Sequence, residues 1–275
     1  MKPKGAKRLA TARWNKFMDH SGGNPRPVDP EYRPNRPLRR LLQFLARGVF
    51  NLITDMEIEG AENFPKTGPL IMVGNHFSFI DPAAFIRVAP WPMDFIGGAV
   101  TPHAPKILQF IPRLWGTLPV YRGTGSTYAL KQAEKILKSG GVVAIFPEGG
   151  SWAQVLRPAR PGAALLTASA GAPLIPVGLI GFPKVFPSLK RGIRAKIKIR
   201  VGKPFGPFKM FGSRYERRRQ LDEIGHEIMR HIAELIPPEE AGLYSPDPKV
   251  REAAKGTEYY PWEGIREGQD HYPAA

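Results

Sequence analysis

Short apolar runs alternate with amphipathic stretches through the middle of the chain. Residues 69–74, Pro-Leu-Ile-Met-Val-Gly, form an apolar run bounded by proline and glycine, which is typical of a buried strand in a parallel sheet. Apolar and alternating patterns predict further strands at residues 56–60, 94–96, 116–120, 142–146, 174–180 and 193–201. Helical spacing predicts helices at residues 103–114, 126–138, 162–170 and 214–236. This alternation predicts an α/β fold, a single domain whose central mixed, largely parallel sheet is covered by helices.

The last predicted strand has one apolar and one basic face. Its apolar positions are Ile193, Ala195, Ile197, Ile199 and Val201, and its basic positions are Arg194, Lys196, Lys198 and Arg200. Cations on one face are typical of an edge strand that is protected against pairing with another chain. We therefore interpret this segment as an edge strand in preference to a ligand-binding surface.

An amphipathic helix is predicted at residues 38–54, before the first strand. Its apolar positions recur at helical spacing and are Leu38, Leu41, Leu42, Leu45, Val49, Leu52 and Ile53, widened by Phe44 and Phe50. Arg39, Arg40 and Arg47 flank this stripe. Two interpretations stay open. The segment is either a membrane-interface helix among anionic headgroups or a surface helix packed on its own domain.

The two ends of the chain differ in composition from the middle. Residues 1–37 form a basic, proline-containing segment, residues 38–237 form the domain, and residues 238–275 form an irregular tail. The formal net charge is +16, and the first 50 residues hold 12 Lys or Arg against 3 acidic residues. Negatively charged partners are therefore expected, namely nucleic acid, anionic lipid or phosphorylated small molecules.

Other features narrow the compartment and the partner class. No run of about 18 apolar residues predicts a membrane span, and the charged amino-terminal residues lack the apolar core of a signal peptide. The absence of cysteine excludes disulfides and thiolate zinc sites. No helix-turn-helix, zinc-finger or RNA-binding motif is found, so nucleic acid is not expected as a partner. We expect a peripheral or monotopic protein on the cytoplasmic face of a membrane, with anionic lipids as partners.

His76 and Asp81 are the first candidate catalytic residues. His76 follows the predicted strand at residues 69–74, at the carboxyl end where open α/β sheets bind ligands. Asp81 is predicted as a helix N-cap with Pro82 at the first helical position, and capping alone would explain its presence. A loop that curls back onto the helix start would instead join the two side chains. The carboxylate would then orient the imidazole, and the pair would act as a base without a metal.

Two further polar loops follow predicted strands. Arg122 has the planar fork that suits a phosphate, and Gly149 and Gly150, next to Glu148, can offer backbone N–H groups to an anion. A surface ion pair for Arg122 and an ordinary turn for the glycines are the alternatives. Because the carboxyl ends of parallel strands share one edge of a sheet, these loops are expected to converge with the loop of His76.

Four short motifs occur in the order and approximate spacing of a known family. They are Asn75-His76 with Asp81, Val120-Tyr121-Arg122-Gly123, Phe146-Pro147-Glu148-Gly149 and Leu174-Ile175-Pro176-Val177. On these motifs the chain resembles the glycerolipid acyltransferases, in particular bacterial 1-acyl-glycerol-3-phosphate (lysophosphatidic acid) acyltransferases. The resemblance covers roughly residues 38–210. The first motif alone is a weak signal, whereas four in order are a strong one.

The resemblance implies a reaction. His76 would be the general base that takes the proton of an acceptor hydroxyl as it attacks an acyl thioester, with Asp81 as its partner. The acceptor would be a lysophospholipid, with 1-acyl-glycerol-3-phosphate giving phosphatidic acid as the first choice and another lysolipid or glycerol phosphate as the alternative. Acyl-CoA or acyl-carrier protein would be the donor co-substrate. The resemblance implies no cofactor, metal or covalent enzyme intermediate.

The resemblance also implies binding residues. Arg122 and the loop of Glu148, Gly149 and Gly150 would hold the phosphate headgroup, and Pro176 would shape the acyl or acceptor pocket.

One position departs from the family pattern. The family usually has Thr or Ser and then Arg after the glycine, whereas Gly149 is followed here by Gly150-Ser151-Trp152. Either Arg157 or Arg160 supplies the missing cation, or the acceptor differs from lysophosphatidic acid. A third alternative is a non-catalytic basic protein that binds membranes or nucleic acid.

We predict that Arg122→Ala raises the KM for the acceptor more than the KM for the donor, because a lost phosphate contact weakens acceptor binding first. Steady-state kinetics with each substrate varied in turn measures both constants. Equal increases in the two KM values would contradict this assignment of Arg122.

Overall fold

The computed structural model describes residues 36–98, 111–120, 127–151 and 153–257 of the protein. Its strands are β1 (Thr54–Glu59), β2 (Leu70–Gly74), β3 (Asp94–Gly98), β4 (Leu118–Val120), β5 (Val142–Ile145), β6 (Leu174–Ile180) and β7 (Ala195–Val201). Its helices are α1 (Arg36–Ile53), α2 (Asp81–Val88), α3 (Ile111–Trp115), α4 (Thr127–Lys138), α5 (Pro161–Ala170), α6 (Val185–Lys190), α7 (Arg214–Ala233) and α8 (Pro248–Ala253). Predicted elements that lie wholly within the described residues agree with these bounds to within three residues.

The strands form one mixed sheet in the order β1-β7-β6-β2-β5-β3-β4. The strands from β6 to β4 run parallel to one another, and β7 and β1 run in the opposite direction because β7 pairs with β6 in the antiparallel sense. β2 lies in the interior, between β6 and β5. The prediction of a mixed, largely parallel sheet is confirmed.

Helices cover both faces of the sheet. One core cluster joins α1, α2 and α6 to Leu70 and Met72 of β2, and the other joins α4, α5 and α7 to Ile71 and Val73. We call these sides the α2 face and the α5 face. Successive residues of β2 enter opposite clusters, as the alternation of side chains along a strand requires. The chain that follows β2 crosses one face of the sheet, and the chain that follows the neighbouring β5 crosses the other. A crevice therefore opens at the carboxyl ends of these two strands.

The prediction that residues 193–201 form an edge strand is wrong. β7 lies between β1 and β6 and pairs with both. Its predicted apolar positions from 195 to 201 are buried, and its cations face acidic residues of β1. Nζ of Lys198 lies 2.9 Å from a carboxylate oxygen of Glu57, and Nε of Arg200 lies 2.8 Å from one of Glu59. The basic face of β7 is therefore matched by a neighbouring strand that comes from a distant part of the chain.

Helix α1 packs on the domain through one side and exposes apolar residues on the other. Arg39, predicted to flank the apolar stripe, is buried. Its Nη1 lies 2.6 Å from Oδ1 of Asp94, and its Nε donates to the Trp115 carbonyl at 2.9 Å. The partly buried or buried apolar positions are Leu42, Ala46, Phe50 and Ile53, and the exposed ones are Leu41, Phe44, Leu45, Val49 and Leu52. Packing on its own domain therefore accounts for only one side of this helix.

Residues 238–257, predicted to be irregular, contain a short 3-10 turn at Gly242–Tyr244 and helix α8. The backbone N–H of Leu156 donates to the Glu240 carbonyl at 2.9 Å, and Ala241 is buried. This part of the predicted tail therefore packs against the domain. Residues 1–35 and 258–275 lie outside the described residues.

Gly74 ends β2 at a point where a side chain would overlap its neighbours. A Cβ atom there would lie 2.6 Å from the Val177 carbonyl oxygen and 2.7 Å from Cζ of Phe85. We predict that Gly74→Ala lowers the free energy of unfolding by about 1–3 kcal/mol, the usual cost of overpacking a core. Gly48→Ala is the matched control, because no atom lies within 4 Å of its Cβ position and alanine suits the interior of α1. Urea unfolding measures both changes, and a wild-type value for Gly74→Ala would contradict this close packing.

Candidate active site

His76 and Asp81 meet at the carboxyl end of β2. The loop between β2 and α2 curls back, so Nδ1 of His76 lies 3.0 Å from Oδ2 of Asp81. The Asp81 side chain is 1% exposed and the His76 side chain 15% exposed, so the carboxylate is enclosed while the imidazole reaches the surface. This is the geometry of an imidazole oriented through one ring nitrogen, with Nε2 left for a substrate.

Asp81 is not the helix cap that the sequence predicts. Ile80 occupies the N-cap position, and Asp81 is the first residue of α2. Its Oδ2 accepts a hydrogen bond from the backbone N–H of Ser78 at 2.7 Å. Burial raises the pKa of Asp81 above its ordinary value, and the hydrogen bond with His76 opposes that rise. The carboxylate therefore organises the His76 loop and leaves the helix end uncapped by a side chain.

Glu148 holds the backbone of the same loop. Its Oε1 accepts a hydrogen bond from the backbone N–H of His76 at 2.8 Å, and its side chain has no exposed surface. The predicted headgroup contact does not fit this position, because the carboxylate is enclosed by protein. The ring of Phe146 stacks on the imidazole of His76 at 4.3 Å between centroids. The segment that follows β5 thus positions His76 through both its backbone and its ring.

Asn75 extends the pairing of β2 with β6 through its side chain. Its Nδ2 donates to the Leu179 carbonyl at 2.8 Å, and its Oδ1 accepts from the Leu179 N–H at 2.7 Å. Both bonds are buried, so they hold the residue before His76 in one place. Sequence reasoning missed the roles of Asn75 and Phe146, although both stand in the recognised motifs. Each acts through a partner that is distant in the chain.

Arg157 brings a cation to the loop that follows β5. Its Nε lies 3.6 Å from Oε2 of Glu148, and its Nη2 donates to the Gly150 carbonyl at 2.9 Å. The other candidate, Arg160, precedes α5, where its N–H donates to the Pro147 carbonyl at 2.7 Å. Burial raises the pKa of Glu148 to about 8, and the charge of Arg157 opposes that rise. An acid and a cation are therefore buried together directly behind His76.

Comparison with known proteins places this site in a family. Residues 55–180, which include His76, Asp81 and Glu148, match a family model described as Acyltransferase. A chloroplastic 1-acyl-sn-glycerol-3-phosphate acyltransferase of Brassica napus is 29% identical over 186 residues, covering 66% of this chain and 50% of that protein. A 1-acyl-sn-glycerol-3-phosphate acyltransferase of Bacillus subtilis (strain 168) is 23% identical over 157 residues, covering 57% of this chain and 76% of that protein. The chain is thus similar to glycerolipid acyltransferases, and the family match covers just under half of its residues.

The likeness to other acyltransferases covers parts of each protein. The chain spans 50% of the Brassica napus relative and 43% of a chloroplastic 1-acyl-sn-glycerol-3-phosphate acyltransferase of Arabidopsis thaliana, about half of their length. Among solved structures, the 1-acyl-sn-glycerophosphate (LPA) acyltransferase of Thermotoga maritima is similar. It has 23% sequence identity and a TM-score of 0.48, over 69% of this chain and 77% of that chain.

Both glycines of the loop that follows β5 contact protein. Gly149 adopts a positive φ of 77°, a conformation that favours glycine, and its N–H donates to the Phe146 carbonyl at 3.1 Å. Gly150 is buried beside Arg157. The prediction that both glycines offer N–H groups to an anion therefore fails for Gly149, because its N–H already closes a turn.

The predicted roles of Pro176 and Arg122 stay predictions. Pro176 lies within β6, where its carbonyl accepts a hydrogen bond from the N–H of Gly202 at 2.8 Å, and its pocket role stays a prediction. Arg122 and Trp152 lie outside the described residues. Within the described part of the chain, no group of three or more His, Cys, Asp or Glu side chains is arranged to hold a metal ion.

Glu148→Gln tests the buried acid. Between its ordinary pKa of 4.5 and the raised value of about 8, the folded protein keeps a proton on Glu148 that the unfolded chain releases. This group therefore lowers wild-type stability as pH rises through that window. Glutamine does not ionise and still offers an oxygen to the His76 amide. We predict that the variant gains stability relative to wild type as pH rises from about 5 to about 8, by at most about 1.4 kcal/mol per pH unit.

Urea unfolding of both proteins across this pH range measures the difference. The same substitution at the exposed Glu234 controls for the exchange of Glu for Gln itself. A stability difference that stays constant with pH would contradict the raised pKa of Glu148.

Proposed function

We propose that this protein transfers a fatty acyl group to the free hydroxyl of 1-acyl-glycerol-3-phosphate, giving phosphatidic acid. The observation that carries the proposal is the contact of 3.0 Å between Nδ1 of His76 and Oδ2 of the buried Asp81. It lies inside the residues that match the acyltransferase family. The relatives' names support this acceptor, since each is called a 1-acyl-sn-glycerol-3-phosphate acyltransferase.

His76 acts as the general base in the proposed reaction. As the acceptor hydroxyl attacks the thioester carbonyl, Nε2 takes its proton, a C–O bond forms and the C–S bond breaks. The proton then passes to the departing thiolate, so the products are the ester and the free thiol. Asp81 keeps the imidazole in the required orientation and stabilises its charged form while the proton is held.

The donor of the proposed reaction is acyl-CoA or acyl-carrier protein. Both are anionic, which agrees with the net charge of +16 on this chain. Glu148 and Arg157 are buried behind His76 and act in this scheme as positioning residues. Arg122 is assigned to the acceptor phosphate on the strength of its motif alone.

Peripheral binding to an anionic membrane completes the proposal. Five large apolar side chains of α1 are exposed, and Arg40 and Arg47 lie on the same helix. A helix of this kind can bury its apolar face among headgroups while its arginines attract anionic lipid. Of the helices in the described residues, none has the length and apolar character needed to span a membrane.

Release of free thiol tests the catalytic assignment. Purified protein is mixed with acyl-CoA and 1-acyl-glycerol-3-phosphate in detergent, and liberated CoA is measured with a thiol reagent. The chain has no cysteine, so every thiol detected comes from the donor. We predict that His76→Ala lowers kcat by about 10²–10⁴, the usual contribution of a general base, and that Asp81→Asn causes a loss in the same range.

His226→Gln is the matched control, because His226 is exposed on α7 and its imidazole is hydrogen-bonded to Tyr244 and not to Asp81. It is expected to turn over at the wild-type rate. Wild-type turnover by His76→Ala would contradict the assignment of His76 as the general base. Thiol release with another lysolipid but not with 1-acyl-glycerol-3-phosphate would overturn the acceptor assignment and leave the base in place.

A further inference from the structure

A second exposed apolar segment lies beside α1. Leu189 at the end of α6 is 45% exposed, and Ile193 in the turn before β7 is 57% exposed. Neither side chain has a role in the site described above. We call Leu189, Ile193 and the residues between them the α6 turn.

The α6 turn and α1 belong to one surface of the molecule. Both α1 and α6 pack into the core cluster of the α2 face, so the exposed sides of both point away from the same face of the sheet. The residue that follows the turn, Arg194, connects it to α1. Its Nη2 donates to the carbonyl of Asn51 near the end of α1 at 2.9 Å and to that of Thr54. The α6 turn therefore lies near the carboxyl end of α1, where Leu52 is exposed.

The charges of this surface have one sign. The α6 turn contains Lys190 and Arg191, and residues 182–200 include no acidic residue. The same is true of α1 from Arg36 to Ile53. The nearest acidic strand is β1, whose Met56 and Ile58 pack into the core of the α2 face. Its acidic residues Asp55, Glu57 and Glu59 alternate with these two and therefore point to the opposite side of the sheet, where Glu57 and Glu59 pair with cations of β7. A partner of this surface must therefore be negatively charged and must also accept isolated apolar side chains between the charges.

We propose that the α6 turn is a second membrane-binding element, in which Leu189 and Ile193 enter an anionic bilayer while Lys190 and Arg191 contact its phosphates. An anionic bilayer offers both required properties, with phosphates at the surface and acyl chains directly below. Two elements on one face also fix the orientation of the domain on the membrane, which a single helix cannot do because the domain can roll about the helix axis.

Helix α6, which leads into the α6 turn, also packs against the active-site loop. The ring of Phe79, which lies between His76 and Asp81, stacks on Phe186 of α6 at 4.9 Å between centroids. Bilayer contact through the α6 turn therefore brings the membrane surface next to the loop that carries His76. This consequence for acceptor delivery rests on the proposed function, whereas the binding of the turn to lipid does not.

Vesicle flotation of the full chain tests the proposal without catalysis. The vesicles are phosphatidylcholine alone and an equal mixture of phosphatidylcholine and phosphatidylglycerol. Leu189→Ser with Ile193→Ser is expected to lower partitioning onto the mixed vesicles by about tenfold or more, given the apolar surface that two inserted side chains bury. The control is Phe211→Ser with Tyr215→Ser, which removes side chains 68% and 78% exposed at the start of α7, a helix of the opposite face. The control is expected to float like wild type.

Charge is tested separately. Lys190→Gln with Arg191→Gln is expected to weaken binding to the mixed vesicles by about fivefold per cation removed, and to leave the smaller binding to phosphatidylcholine unchanged. Thermal unfolding of each variant checks that the fold is retained, as expected for exposed positions.

Several outcomes would overturn the proposal. One is wild-type flotation of the Leu189 and Ile193 variant while Phe44→Ser with Leu52→Ser abolishes it, since α1 would then bind alone. Another is a wild-type chain that binds neither vesicle. A third is a change in molecular mass by light scattering without a change in flotation, which would assign this surface to a second copy of the chain. Thiol release in detergent reports the catalytic proposal independently of all three.

Discussion

The hydrogen bond from the backbone N–H of His76 to the buried carboxylate of Glu148 ties together the ends of two neighbouring strands, and the site depends on it. β2 and β5 pair in register as far as Val73 and Ile145, and beyond these residues their chains continue to opposite faces of the sheet. A bond of 2.8 Å holds the two diverging segments together across the crevice. Because the acceptor is enclosed by protein, water cannot replace it at low cost, and the loop has one favoured position.

The remaining contacts build outward from this point. Asn75, the residue before His76, bonds to β6 through its side chain. The ring of Phe146 stacks on the imidazole, and Oδ2 of Asp81 contacts the imidazole Nδ1. Asn75, Asp81 and Glu148 are all buried, which is costly for polar side chains at the end of a sheet. Each has hydrogen-bond partners that offset part of the cost. The arrangement leaves the imidazole as the partly exposed member of the group, which is the requirement for a base that must reach a substrate.

The same geometry relates the site to the exterior of the molecule. The His76 loop packs on α6 through Phe79, and α6 and α1 share the face on which large apolar side chains and cations are exposed. The opposite face carries α7 and packed residues of the segment 238–257. Two unlike faces agree with the proposed lipid acceptor, because its hydroxyl would then travel only a short distance from the bilayer to His76.

Local pattern determined the elements and the composition of the site. The apolar run of β2, the alternation of β7 and the spacing of α1 and α7 predicted their positions, because burial of one face imposes a period that is read over a few residues. Two of the four motifs likewise identified the loops that the structure brings together at His76 and Glu148. Only the tertiary structure decided which of these elements and residues contact one another. Glu148 became the acceptor for the His76 backbone, Arg39 became a buried anchor, and β7 gained β1 as an outer neighbour. The deciding contacts join residues 55 to 104 positions apart, such as Arg39 with Asp94, His76 with Glu148 and Asn75 with Leu179. A periodic pattern in the sequence cannot predict such pairs, because they depend on which strands become neighbours once the whole sheet has formed.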